Sequence, residues 1–342
     1  MSKSKISVPK KQSKMNKGGI HLSVVFSFFN EEKVLPKLLS RVRNALDKDK
    51  NVKSYELIFV NDNSTDDSRE ILEAEAKNSG DVILINTSRN FGYSECYYAG
   101  FSYATGDALV YMDADLQDPP ELISEMVSAF CSHPEIDVVF TTRKTRAGEN
   151  AVKLWITKVG YLFIRLVSNI DIPRDSGDFK LISRKVRNLL LKHEEKLPYM
   201  RGLISYYGFK QKQIFYDREA RFDGAENTKF PVLSKRVMYY WLDNAMISFS
   251  DAPLKISLFT GFAIALVAVL YLLVVIVQKI IGWHVPGWPA LMAVALILGA
   301  TQLIMLGLFG LYLKSIFLEV KKRPNYVVNS VVTRDGEKFV DH

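Results

Sequence analysis

The sequence predicts an α/β domain built on a mostly parallel sheet and followed by two membrane-spanning helices. Three observations predict it: short apolar runs alternate with amphipathic stretches from His21 to Thr142, the acidic pair Asp113-Ala114-Asp115 ends one of those runs, and two long segments after Lys255 carry no charge.

The first 20 residues are Lys/Ser-rich, and Lys3, Lys5, Lys10, Lys11, Lys14 and Lys17 precede any acidic residue. These six charges account for most of the net charge of +8, so the folded part is nearly neutral and lacks a nucleic-acid footprint. Without the apolar core of a signal peptide, this arm reads as a disordered tail that touches anionic lipid.

From His21 onward the expected strands are Leu22–Phe28, Leu57–Val60, Val82–Ile85, Ala108–Met112 and Val138–Thr141, with helices between them. Strands spaced this way form a sheet covered on both faces, and such sheets bind ligands outside the carboxyl ends of their strands. Asn30-Glu31-Glu32, Asn61 to Asp67 and Asp113-Ala114-Asp115 all fall at those ends, so three acidic or amide clusters converge on one crevice. Beyond Thr142 the rhythm lapses. Lys153–Ile170 and Val232–Phe249 are apolar with basic and aromatic interruptions, a composition suited to helices lying in a membrane interface.

Ile256 to Gln278 is a stretch of 23 residues without a charge, and Val285 to Leu313 one of 29, each longer than the roughly 20 residues a helix needs to span a bilayer. Gly282, Pro286 and Gly287 provide the turn. The resulting division is a tail (1–20), a main domain (21–230), a juxtamembrane amphipathic helix (231–254), a hairpin (255–314, with spans at about 256–278 and 288–313) and a C-terminal segment (315–342). Lys235, Arg236, Lys255, Lys314, Lys321, Lys322 and Arg323 flank the hairpin while its loop holds only Lys279, which places the main domain on the cytoplasmic side of the plasma membrane. Trp283 and Trp288 sit where an aromatic belt would lie at the far interface. Cys96 and Cys131 form neither a metal quartet nor a disulfide framework and read as packed thiols; His133 and His193 have no partners at a recognisable spacing.

The acidic pair carries the chemistry. Two hard oxygen donors at a strand's end hold a divalent cation against a diphosphate. Asp62, at the end of Leu57-Ile58-Phe59-Val60, is placed to accept hydrogen bonds from a base or ribose, with Ser64 or Thr65 capping the next helix. No Gly-x-Gly-x-x-Gly opens the first helix, which disfavours a dinucleotide oxidoreductase.

The strings SVVFSFFNEE, VNDNSTDDS, NTSRNFGY, GDALVYMDADLQDPPE and GDFKLISR, with the later RGL and GF, resemble the family 2 glycosyltransferases that charge polyprenyl phosphates, in particular the bacterial members with a C-terminal two-helix membrane hairpin, relatives of dolichol-phosphate mannose synthase. The resemblance spans about Leu22 to Tyr326. It implies a GT-A fold, a nucleotide-sugar donor, a divalent cation (Mg2+ or Mn2+), a polyprenyl phosphate acceptor and a homo-oligomer, a tetramer in related enzymes. By position, Ser27, Phe29, Glu31, Asp62, Asn90, Asp113, Ala114 and Gln117 would contact the nucleotide sugar, and Asp113, Asp115 and Gln117 the metal. Where the family usually reads Pro-Val-Tyr-Asn-Glu this chain reads Ser27-Phe28-Phe29-Asn30-Glu31, which keeps ring stacking and loses a phenolic hydrogen bond.

The implied reaction is inverting transfer of a hexose, glucose from UDP-glucose, to undecaprenyl phosphate; mannose, N-acetylglucosamine and an aminoarabinose derivative would use the same diphosphate machinery. A lipid phosphate has a second pKa of about 6 and is largely ionised near neutral pH, so it needs cationic anchoring more than a strong base. Arg143, Arg146, Arg165, Arg201 and Lys229 are the candidate anchors, with Arg143 at a strand end and Arg201 in RGL the ones the resemblance favours. Asp178 of the GDF string belongs near the reacting carbon, where it would orient a hydroxyl, meet oxocarbenium-like charge or accept a proton; Asp115, Arg143 and Arg201 complete the expected catalytic set. A processive synthase would carry a Gln-x-x-Arg-Trp string and more spans, and neither is present. A non-catalytic nucleotide-sugar sensor is the remaining rival, and it has no evident need of the whole constellation.

Overall fold

The computed structural model describes residues 19–143, 176–193, 195–196, 199–219, 222, 252–282 and 287–340. The expected interfacial helices at 153–170 and 232–249, and the candidate anchors Arg146, Arg165 and Lys229, lie outside these residues.

β1 (Ile20–Phe28), α1 (Leu35–Asp47), β2 (Val52–Asn61), α2 (Ser68–Asn78), β3 (Val82–Thr87), α3 (Tyr93–Tyr103), β4 (Ala108–Asp113), α4 (Leu122–Ser132) and β5 (Val138–Arg143) alternate as the apolar periodicity predicts. β4, β1, β2 and β3 lie side by side and parallel, so their carboxyl ends share one edge of the sheet. These strands are buried on both faces, which is why they read as near-continuous apolar runs. Leu22, Val24, Phe26 and Phe28 of β1 pack with Leu35, Leu38, Leu39, Val42 and Leu46, which recur on one face of α1, whereas Val25 faces the α3 side with Tyr97, Phe101 and Tyr111.

Antiparallel strands widen this parallel run on both sides. β6 (Ser176–Ser183) inserts between β4 and β5, β7 (Gln211–Tyr216) pairs parallel with β5, and β8 (Val328–Thr333) with β9 (Gly336–Phe339) extends the sheet beyond β3. The order is β7-β5-β6-β4-β1-β2-β3-β8-β9. β6 escapes the sequence pattern because Asp178 and Lys180 interrupt its apolar run, and β8 and β9 because they lie beyond the membrane hairpin. α5 (Arg184–Lys192), capped by the Ser183 hydroxyl that accepts from the Val186 N–H, and α6 (Met200–Tyr206) join α3 on the second face.

α3 lies unusually close to the sheet. A Cβ at Gly100 would come within 2.3 Å of Val25 Cγ1 and 3.2 Å of Val60 Cγ2. Gly100→Ala is therefore expected to destabilise the domain by about 1–3 kcal/mol through overpacking, read as a lower thermal midpoint of the detergent-solubilised full chain.

α7 (Ala252–Ile280) and α8 (Trp288–Lys321) are long and apolar enough to cross a membrane, the most apolar 18-residue windows within Leu254–Ile280 and Val294–Lys321 having mean hydropathies of 2.8 and 2.2. With 29 and 34 residues at 1.5 Å each they measure about 43 and about 51 Å, more than the roughly 30 Å hydrocarbon core. The excess lets α8 run past the expected end at 313 and carry Lys314 to Lys321 toward the sheet. It stops at Lys322, whose φ of 49° is a left-handed cap, and β8 begins six residues later.

Candidate active site

The turns after β1, β2 and β4 are stitched into one floor. The Asn30 N–H donates to Ser64 Oγ at 3.1 Å and the Thr65 N–H to Asn30 Oδ1 at 2.8 Å, while the Glu31 N–H donates to Ser68 Oγ at 2.8 Å. Ser64 and Thr65 thus tie two turns together and do not cap α2: its N-cap is Asp67, and the neighbouring Asp66 accepts from the Ser68 N–H. The strand-end turn kinks out of the sheet because a hydroxyl and an amide satisfy backbone groups that would otherwise continue the ladder. On the other side of β1 the Ala114 N–H donates to the Ser27 carbonyl, which seats Ser27 beside the acidic pair.

Asp62 is buried, and both its carboxylate oxygens accept backbone N–H groups, from Phe91 at 2.7 Å and Gly92 at 3.0 Å. Its first job is thus to hold the turn that carries Asn90, and a nucleotide contact would draw on the lone pairs that remain. Phe29 stands 45 % exposed at the mouth, open to a stacking partner, whereas Glu31 and Gln117 are buried behind it.

Asp113 ends β4, and Leu116 three residues on has a φ of 55°, a left-handed conformation that a branched side chain adopts only under constraint. The Gln117 N–H closes this turn on Asp115 Oδ1 at 3.0 Å. Burial pushes the Asp113 carboxyl up to about 7, and Asp178, Asp115 and Asp118 add to the rise against a 2.6 Å hydrogen bond donated by the Tyr97 hydroxyl. Hard oxygen donors so crowded that one resists ionisation fit a divalent cation, which would relieve the repulsion.

A second cluster faces the first. β6 runs antiparallel to β4 with Tyr111 opposite Lys180, so two residues further along Asp178 draws level with Asp113. The Arg201 guanidinium grips Asp178 with both ends, Nε to Oδ1 at 2.7 Å and Nη2 to Oδ2. Burial alone would raise the Asp178 carboxyl, yet Arg201, with help from Lys180 and Arg143, holds it below the usual carboxylate range. Lys180 is 3 % exposed and burial pushes its ammonium down to about 7. Arg143, at the carboxyl end of β5, donates to the Tyr216 hydroxyl at 3.4 Å. Arg201 enters this site as the counter-ion of Asp178, a role the RGL string does not announce.

Sequence reasoning also missed Tyr97, which looks like a core aromatic of α3, and the segment after β7. There Arg218 approaches Asp115 Oδ2 at 3.8 Å and Asp118 Oδ1 at 3.5 Å, the Glu219 N–H donates to the Gln117 carbonyl, and Arg41 of α1 bridges Glu121 and Glu219. Two cations thus hold the acidic turn in a lattice of charge, and nothing in the spacing of Asp217-Arg218-Glu219 foretells it.

The raised Asp113 has a consequence for stability. Its folded value of about 7 lies above the ordinary 3.8, so between these the folded state keeps a proton that the unfolded chain has released. Its contribution is fully present below about pH 4 and is lost as pH rises toward 7; Glu95, which burial also pushes to about 7, acts in the same sense. In chelator the thermal midpoint should therefore carry a falling component from pH 5 to 7.5, smaller in Asp113→Asn, and added divalent cation should restore the wild type most at the higher pH.

A crevice at the carboxyl ends of a parallel run, floored by an acidic pair and walled by an inserted antiparallel strand, defines a glycosyltransferase of the GT-A fold. The model of "Glycosyl transferase family 2" matches residues 23–190. The chain is 38 % identical to the "Uncharacterized glycosyltransferase YkcC" of Bacillus subtilis (strain 168), over 90 % of this chain and 93 % of that one. It is 34 % identical to the "Prophage bactoprenol glucosyl transferase homolog" of Escherichia coli (strain K12), over 91 % and 99 %, and 32 % identical to the "Bactoprenol glucosyl transferase" of Shigella phage SfII, over 90 % and 97 %. This protein belongs to glycosyltransferase family 2.

Proposed function

We propose that the protein transfers glucose from UDP-glucose to a polyprenyl phosphate, undecaprenyl phosphate in a bacterial membrane, with inversion at the anomeric carbon. The observation that carries this reading is the pairing of two charge clusters in one crevice, Asp113 and Asp115 against Asp178 and Arg201, in a chain with two membrane-length helices. Relatives named for glucosyl transfer to bactoprenol support the choice of sugar and acceptor.

Asp113 and Asp115 would hold a divalent cation, with Gln117 beside them, and the cation when bound neutralises charge developing on the departing diphosphate. The chain's own residues do the rest. Phe29 stacks on the base, and Asp62 and Asn90 order the turn beside it. Asp178, kept ionised by Arg201, faces the positive charge that builds at the anomeric carbon and accepts a hydrogen bond from a hydroxyl of the donor sugar. A phosphate already ionised near neutral pH needs no strong base, so a carboxylate held at low pKa suits this role. Arg143 anchors the acceptor phosphate. The two long helices set the crevice at the cytoplasmic face of the plasma membrane, where a lipid too apolar to leave the bilayer presents its phosphate, and assembly as a homotetramer belongs to the same proposal.

The test is a donor screen with the purified full chain, undecaprenyl phosphate and Mg2+ or Mn2+, reading the lipid product by mass. One hexose on the lipid from UDP-glucose is expected. A product from another nucleotide sugar alone reassigns the donor, and no lipid product from any donor in active membranes overturns the reading.

A further inference from the structure

Apart from the crevice, a cavity of about 240 Å³ opens where α8 leaves the apolar span. Arg89 and Phe91 line it from the turn after β3, Glu95 from α3, Lys196 from the segment before α6, and Lys321 and Arg323 from the end of α8. Four cations from three separate stretches of chain thus converge on one space. Among the described residues none of the four forms an ion pair with a carboxylate. The Arg89 guanidinium lies 3.9 Å over the Phe91 ring and Lys321 Nζ lies 4.1 Å over the Phe317 ring, which holds both side chains without neutralising them. Glu95 is the one acid in the lining, and desolvation pushes its carboxyl up to about 7, so it offsets the cations only in part near neutral pH.

We propose that this cavity is a binding site for a lipid-borne phosphate. Lys and Arg at the end of a membrane helix stand in the headgroup layer, where a phosphate ester is the abundant anion. The nucleotide crevice is on the other side of the same turn, for it is the Phe91 and Gly92 N–H groups that clasp Asp62. On the opposite wall the Lys196 N–H donates to Glu319 Oε1 at 2.8 Å and Asn325 Nδ2 to the Glu195 carbonyl at 2.7 Å, four to five residues before the start of α6, the helix that carries Arg201. An anion in the cavity therefore braces the Asp62 turn and the Arg201 helix against the membrane helix at once. The proposal rests on the membrane placement of α7 and α8 and is independent of which sugar moves.

The experiment counts lipids retained by the full-length protein in native mass spectrometry after reconstitution in mixed phosphatidylglycerol and phosphatidylcholine. The wild type is expected to retain one phosphatidylglycerol per chain, and the double variant Arg89→Gln/Arg323→Gln to lose that preference by about tenfold. Arg323→Lys should keep it, and so should Lys338→Gln on β9, which separates the site from general surface charge. Displacement of the bound lipid by undecaprenyl phosphate would support the site as one that admits any lipid-borne phosphate; retention of phosphatidylglycerol beside it would support the site as one for bulk anionic lipid. Equal retention by the double variant, or release of the lipid by millimolar inorganic phosphate or by UDP alone, would overturn the proposal. Because lipid retention is read without turnover, a failed donor screen leaves this result intact.

Discussion

Glycosyl transfer by Asp115→Asn is expected to fall by about 10²- to 10³-fold at saturating donor, with the thermal midpoint nearly unchanged. The substitution is isosteric, and the amide oxygen can still accept the Gln117 N–H that closes the turn around Leu116, so the left-handed backbone there survives. What is lost is one negative charge from the donor set, and with it the Arg218 contact at 3.8 Å, whose guanidinium retains Asp118. Calorimetry with Mn2+ should show weaker cation binding in step with the lost rate. A folded Asp115→Asn protein that turns over near the wild-type rate in excess cation would remove the carboxylate pair from the mechanism.

Arg201→Met is expected to cost about 3–5 kcal/mol, a fall of about 10 °C in thermal midpoint for a domain of this size. The reason is not the loss of the ion pair itself, whose attraction is largely spent on desolvating both partners. Removing the guanidinium strands Asp178 as a buried charge, and burial then drives its carboxyl upward. The double variant Asp178→Asn/Arg201→Met should recover much of the lost stability by leaving two neutral side chains, while transfer remains abolished because the ionised carboxylate is gone. Additive losses in the two single variants, with no recovery in the double, would show that the pair is not energetically coupled.

These two experiments probe clusters of different legibility. Asp113 and Asp115 stand out in the sequence because an acidic pair at the end of an apolar strand has no packing role, and the parallel run β4-β1-β2-β3 follows from alternation along the chain. Asp178 was visible only through a family string. Its strand hides behind a polar interruption, and its partner Arg201 lies 23 residues away in another element. Tyr97 is hidden for the opposite reason, being an aromatic on an apolar helix whose hydroxyl alone reaches Asp113. Local patterns report the burial of a side chain and its periodicity; they do not report which atom of a buried residue meets a charge from across the sheet. The β8–β9 hairpin marks the same limit at the level of topology, since its pairing with β3 closes a loop of more than 200 residues through a membrane hairpin.

That hairpin also sets an order of assembly. β3, with the apolar sequence Val82 to Ile85, is an open sheet edge until β8 arrives, and β8 is made only after both long helices. During synthesis the nascent sheet therefore carries an unpaired strand that is prone to wrong partners until both long helices have been made and β8 folds back onto it. With the two helices in a bilayer, as proposed above, their insertion becomes a step of domain folding, and a chain stalled there would leave an enzyme with an unfinished sheet.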